Sequence, residues 1–347
     1  MNKNPKSSYY ESGEIVFGIQ SPGAGWIRLD GTAQQVSPKI ASKLVTISWN
    51  TQTSNLGASI FSVAYGNGVW VAGGLGGALR TSTDTVNWNT QTSTFGISNI
   101  NAIAYGNGVW VAGGEVGALR TSTDNGATWN TQTSQFGANT ISSVAYGNGI
   151  WVAVGSNATL RTSTDTVNWN TVNANVGGAS IYSVAYDNGI WVAGGTSGSI
   201  RTSTNTINWN TQNSNFGINY VRSTAYGNNT WVAVGSGGAL RTSTNNGVTW
   251  TTQTSGFGTS SIESLAYGNG VWVAVGAGGA LRTSTDTVNW STETSNFEGS
   301  IIYTVAYGPG VWVAGGAGGT LRTSGNSQTF GTPLVNPAYN IYGWMKL

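Results

Sequence analysis

The sequence predicts an all-β fold, and three observations carry that expectation. An apolar hairpin, "AYGNGVWVAGG" (64–74), is written seven times with small changes. Its tryptophans recur at Trp70, Trp110, Trp151, Trp191, Trp231, Trp272 and Trp312, spaced by 40, 41, 40, 40, 41 and 40 residues. Only 7% of the 347 residues are charged, against a usual figure of about 25%. Gly, Asn, Ser and Thr take their place, which is a composition of turns and strands. Short strands repeating at about 40 residues predict a β-propeller, one four-stranded blade per repeat.

Every repeat divides in the same way. In the first, strand A is "IFSVAY" (60–65), and "GNG" turns it into strand B, "VWVAG" (69–73). Asn-Gly suits the type I′ turn, which needs positive φ at both central residues and whose twist matches that of a hairpin. A Gly-rich turn (74–77) leads to strand C, "ALRTST" (78–83); "DTVN" (84–87) then leads to strand D, "WNTQTS" (88–93). Alternating apolar positions with β-branched neighbours favour strands over helices. The strand-D motif also stands ahead of the first unit, in "VTISWNTQTS" (45–54). This segment is expected to pair as the outer strand of the seventh blade, joining the chain's ends and leaving no free sheet edge.

The turn between strands C and D carries a family resemblance. "STDNGATW" (122–129) reads S-x-D-x-G-x-x-W and resembles the Asp-box of the bacterial neuraminidase repeat; "STNNGVTW" (243–250) has Asn in place of Asp. Blades 1, 3, 4 and 6 use a turn one residue shorter, as in "STDTVNW" (82–88), and the two longer turns account for the two 41-residue spacings. The resemblance covers roughly residues 44–324 and implies a propeller. It does not by itself imply sialidase chemistry, which in that family uses an arginine triad, a Tyr/Glu nucleophile pair and an Asp acid.

The residues do not supply that chemistry. All twelve acids can be placed: Asp84, Asp124, Asp165 and Asp286 in the C–D turns, Asp187 in an A–B turn, Glu293 in strand D, and Glu298 in a D–A loop. Glu115 and Glu263 stand alone, while Glu11, Glu14 and Asp30 precede the propeller. No spacing pairs two carboxylates for glycoside hydrolysis. The absence of Cys and His removes disulfides, thiolate nucleophiles, Cys/His zinc sites and the commonest general base. The expectation is a non-enzyme with no cofactor and no metal. A net charge of +2 gives no electrostatic case for nucleic acid, which needs clustered Lys and Arg. No run reaches the roughly 18 apolar residues of a membrane span, and no signal-peptide core is seen at the start.

What changes between copies points to a site. In a propeller the A–B and C–D turns share one face, and the B–C and D–A turns share the other. Near the start of strand A one position holds Phe61, Asn101, Ser142, Tyr182, Arg222, Glu263 and Tyr303, while its neighbours barely change. Strand A is innermost, so these side chains should ring the mouth of the central channel. Aromatics, an amide, a hydroxyl and an opposite-charge pair suit a polar ligand such as a glycan. By contrast, Arg80, Arg120, Arg161, Arg201, Arg241, Arg282 and Arg322 recur in every strand C. That uniformity predicts a structural role, stacked on the next blade's Trp or tied to turn carbonyls.

The flanks differ in composition: Lys3, Lys6, Lys39, Lys43 and Lys346 all lie outside the repeats. Three domains are expected, at 1–43, 44–324 and 325–347, the two flanks forming one small β platform. Residues 13–37, with Pro22, Gly25, Trp26, Asp30 and Gly31, resemble the opening of a phage tail collar domain. Phe330, Pro333 and "YGWMKL" (342–347) resemble its close. The long middle of such a domain is missing, and the propeller stands in its place. This resemblance implies a virion protein of a tail fibre or tail tip, extracellular when it functions, with 1–43 and 325–347 contacting other tail proteins in a homo-oligomer. The propeller would then bind a host-surface glycan without chemistry. A free bacterial lectin and an architectural spacer or decoration protein are the alternatives.

Overall fold

The computed structural model describes residues 47–174 and 177–325, and the backbone of 334–336 and 341–343. Its propeller is a compact unit spanning Ile47–Asn326. Seven four-stranded antiparallel sheets follow one another, each in the order A-B-C-D. The first comprises Ile60–Gly66, Val69–Gly74, Leu79–Ser82 and Asn89–Thr90. Among the described residues helix occurs only as short 3-10 turns, such as Leu75–Gly77, and none is long and apolar enough to cross a membrane.

The seventh sheet closes the ring as the repeat pattern predicts. Asn50–Gln52 pairs with the strand Leu321–Gly325, in the register Asn50↔Thr323 and Gln52↔Leu321. Gln52 Nε2 donates to Thr323 Oγ1 at 2.8 Å, the clasp that Gln91 makes with Thr81 and Gln132 with Thr121 inside continuous blades. Blades 4 and 5 repeat it with Gln212 and Gln253, so the closing strand is held as in four continuous blades; blade 6 substitutes Glu293, which accepts from Thr283, and blade 3 has Val172 there. A separate hairpin pairs Leu334–Asn336 with Ile341–Gly343. The collar-like residues Pro22, Gly25, Trp26, Asp30, Gly31, Phe330 and Pro333 lie outside the described residues, as does all of the platform expected of the two flanks except the backbone of that hairpin.

The turn chemistry follows the sequence. Asn67 and Gly68 have φ of 46° and 80°, as a type I′ turn requires. The seventh hairpin departs because Pro309 cannot take positive φ, and only Gly310 (φ 73°) does so. Asp84 ties its turn by accepting from the backbone N–H groups of Val86 (2.9 Å) and Asn87 (2.7 Å), and Trp88 Nε1 donates to the Thr85 carbonyl. The short turns place a threonine, Thr85, Thr166, Thr206 or Thr287, at φ of 62–65°. That is a strained place for a β-branched residue. Hydrogen bonds join Asn67 to Asn125 and Asn188 to Asn246, so the A–B and C–D turns do share a face.

The core lies between blades, not within them. Val69, Val71 and Leu79 of blade 1 pack with Ile100, Ile103 and Trp110 of blade 2, and Val313 and Leu321 of blade 7 close on Ile60 and Trp70 of blade 1. Six of the seven strand-B tryptophans are essentially fully buried. At about 25 cal/mol per Å² and about 200 Å² per ring, each contributes up to about 5 kcal/mol.

Glycine sets how closely blades approach. A Cβ on Gly66 would fall within the ring of Tyr105 from the next blade, and Gly106, Gly147, Gly227 and Gly268 meet Tyr146, Tyr186, Tyr267 and Tyr307 in the same way. Blade 4 has Asp187 at this position. Accordingly Tyr226 of blade 5 sits 5.3 Å from Trp231, the widest of the seven Tyr–Trp pairs, the others being 4.8–5.1 Å.

Candidate functional site at the channel mouth

The innermost strands create the site by a shared irregularity. In blade 1, Ile60 pairs with Gly74 and Ser62 with Gly73, so Phe61 is the extra residue of a β-bulge. The same shift occurs in all seven blades. A bulge reverses the parity of the strand, which lets Ile60 and Val63 both face the core although they are three apart. The seven divergent positions predicted from the sequence, Phe61, Asn101, Ser142, Tyr182, Arg222, Glu263 and Tyr303, are the seven bulged residues, and all are half-buried.

Several of them meet across blade boundaries. The Phe61 and Tyr303 rings stand edge to face at 5.2 Å. The Arg222 guanidinium lies 5.2 Å over the Tyr182 ring, and its Nε is 3.8 Å from Glu263 Oε2. Asn101 instead donates to the Ile141 carbonyl of the next blade at 3.4 Å. Sequence reasoning missed Tyr220, which lies in the D–A loop two residues before Arg222. Its ring is 5.7 Å from the guanidinium and 5.9 Å from the ring of Tyr182. Its counterparts are Ser59, Asn99, Thr140, Ser180, Ser261 and Ile301, so a large aromatic at this position is peculiar to blade 5.

Just below the ring, a hydroxyl of one blade accepts the backbone N–H of the next. Ser62 accepts from Ile103 (3.0 Å), Ser143 from Val184 (3.2 Å), Ser183 from Thr224 (3.0 Å) and Ser223 from Leu265 (3.3 Å). Ser264 accepts from Val305 and Thr304 from Val63, both at 3.2 Å. The seventh interface has Ala102 opposite Val144, and the clasp is missing there.

The repeated arginines are structural, as expected from their uniformity. Arg120 donates to the carbonyls of Leu119 (3.0 Å) and Thr94 (2.7 Å) and lies 4.9 Å over the Phe95 ring. Arg161, Arg241, Arg282 and Arg322 repeat this over Phe136, Phe216, Phe257 and Phe297 at 5.0–5.2 Å. For these five the stacking partner is a loop phenylalanine and not the next blade's Trp, while Arg80 meets a loop with Leu56 in that place. The phenylalanine projects from the D–A loop whose carbonyl the arginine caps.

The acids in the turns are occupied as acceptors. Hydrogen bonds from the hydroxyl and N–H of Thr128 hold the Asp124 carboxyl down at about 2, and those from Asn87 hold Asp84 well below the usual carboxylate range. Glu115 binds the side chain and backbone N–H of Asn99. Burial pushes Glu293 upward, partly opposed by the Thr283 hydroxyl that donates to it. Among the described residues no group of three or more acids could hold a metal ion.

No family model and no curated protein matches the sequence. Solved structures do. The WD40 β-propeller domain of Doa1 superposes with a TM-score of 0.67 at 14% identity, over 82% of this chain and 98% of that domain. YCF48 from Cyanidioschyzon merolae gives 0.65 at 16% identity over 81% and 99%, and YCF48 bound to D1 peptide gives 0.66 at 15% over 80% and 94%. At these identities the likeness shows the fold. The chain is a seven-bladed β-propeller.

Proposed function

We propose that this protein is a non-enzymatic binding propeller whose channel mouth holds a glycan of a host surface. It is a virion protein of a phage tail fibre or tail tip, extracellular when it acts. The observation that carries the binding reading is the bulge ring. Positions that hold the fold repeat from blade to blade, while the bulged position of the innermost strand differs in nearly every blade. A scaffold needs no such variety at one ring, whereas a ligand contacting several blades at once does.

The tail assignment rests on the collar-like residues of the flanks, Pro22, Gly25, Trp26, Asp30 and Gly31 with Phe330 and Pro333. Residues 1–43 and 325–347 would join the propeller to other tail proteins as a homo-oligomer. Individually weak contacts at the mouth would then be multiplied by copy number on the particle. No nucleic acid, membrane insertion or cofactor enters this reading.

The test is adsorption to host cells by the protein carrying Tyr182→Ala and Tyr303→Ala together. Adsorption should be abolished while the fold, followed by circular dichroism, persists. Unchanged adsorption would reject the channel mouth as the site. Mass and symmetry of the native assembly separate a tail component from a free lectin, and a protein that retains no glycan on an array would be a spacer.

A further inference from the structure

The ring is not used evenly. Phe61 and Tyr303 pack on each other, and Asn101 is spent on a backbone carbonyl. The sector formed by blades 4, 5 and 6 is different. Six of the repeated arginines are each tied to two backbone carbonyls, and Arg201 to that of Ile200. Among the described arginines Arg222 alone donates no hydrogen bond; its buried Nε has only the long ion pair to Glu263. Its head is nonetheless fixed. Tyr182 and Tyr220 lie against the guanidinium, and Glu263 stands beside Nε. The side chains of Arg222 and Glu263 remain 36% and 20% exposed, and Tyr220 is 40% exposed. An ion pair this long and this exposed does little for stability, so holding the fold does not account for it.

From this arrangement we infer that the blade 4–6 sector binds a neutral sugar through adjacent hydroxyl groups, with an exposed tyrosine ring under the sugar's C–H face. This rests on the glycan-binding reading above and narrows it to one sector and one ligand class. A hydroxyl both donates and accepts. Two neighbouring hydroxyls can therefore accept from the terminal N–H groups of Arg222 while donating to the carboxylate of Glu263. The two charges cancel, so the site offers no net attraction to an anion. A carboxylated sugar drawn to Arg222 would have to sit beside Glu263. Tyr182 and Tyr220 supply rigid, amphipathic area that orders at low entropic cost.

The test is a glycan array of neutral and uronate-containing oligosaccharides, probed with the full chain and three variants. The unaltered protein should retain neutral glycans and discriminate against uronates. Arg222→Met should lower that signal at least tenfold, and Val167→Ser, in a turn on the opposite face, should leave it unchanged. Glu263→Gln keeps the shape and removes one charge, so it should shift the preference toward uronates by tenfold or more. This isosteric variant carries the charge test even if Arg222→Met fails to fold. Uronate preference in the unaltered protein, an unmoved preference in Glu263→Gln, or full neutral binding by a folded Arg222→Met would each overturn the inference while leaving a glycan-binding propeller standing. Retention of no glycan by any of the proteins would overturn both.

Discussion

The interfaces between blades 3 and 4 and between blades 4 and 5 make an instructive pair. In the first, Gly147 lets the ring of Tyr186 lie against the backbone of the preceding hairpin. In the second, Asp187 occupies the equivalent position and Tyr226 stands farther from Trp231, at 5.3 Å. Both interfaces keep the hydroxyl clasp beneath the channel mouth, Ser143 to Val184 and Ser183 to Thr224. The ring therefore tolerates the loss of one repeated contact at an interface where the others survive, since closure already brings the two blades together. The interface that gave up its glycine also carries, at its other end, the contact between Tyr182 and Arg222.

The sharpest way to break this comparison is to place alanine at both positions. Gly147→Ala should destabilise the protein by about 1–3 kcal/mol, since the new methyl has nowhere to go in a packed interface. Asp187→Ala should cost less than about 0.5 kcal/mol, because Tyr226 has already given way there. Urea unfolding of the two variants measures both, and equal costs would show that the glycine makes no special room.

The clasp gives a smaller effect of predictable sign. Ser143→Ala should lose about 1 kcal/mol, and Ala102→Ser, which supplies the hydroxyl missing opposite Val144, should gain about the same. A destabilising Ala102→Ser would mean that the blade 2–3 interface has repacked around its alanine.

Acid should act on the turns with a definite direction. Hydrogen bonds from Thr128 lower the Asp124 carboxyl to about 2, below its unfolded value. Its stabilising contribution is therefore present above the unfolded value near 4 and is lost as pH falls through about 2. Asp124→Asn, the residue blade 5 uses as Asn245, should flatten that part of the pH–stability curve. Glu293 has the opposite sign. Burial raises it, so its favourable contribution exists below the unfolded value and disappears as pH rises through the folded one. Glu293→Gln, the residue of the other clasps, should therefore raise stability at neutral pH slightly, as read by thermal denaturation.

Much of this was legible before any coordinates. The tryptophan period, the Asn-Gly turns and the orphan strand-D motif at 45–54 specified seven blades and their closure, because each rests on local chemistry repeated seven times. The ring position was legible through its variability. Its bulge was not recognised, although Ile60 and Val63, apolar at a spacing of three in what reads as a strand, are its trace. Tyr220 was invisible because its role depends on a loop conformation and a neighbour 38 residues away, Tyr182. The arginines' partners were half legible: uniformity pointed to structure, but only the path of the D–A loop shows that Phe95 and its four equivalents, and not tryptophans, receive five of them.

A closed ring brings residues far apart in sequence together at one channel mouth, and the cysteine-free chain allows that to be measured directly. With Phe61→Cys and Tyr303→Cys introduced together, a short thiol cross-linker should join blades 1 and 7 within one molecule, in high yield, and only in the folded state. A control pair, Phe61→Cys with Val167→Cys, should not cross-link. Cross-links confined to pairs of molecules, or equal yields for both pairs, would contradict the closed ring and the site built on it.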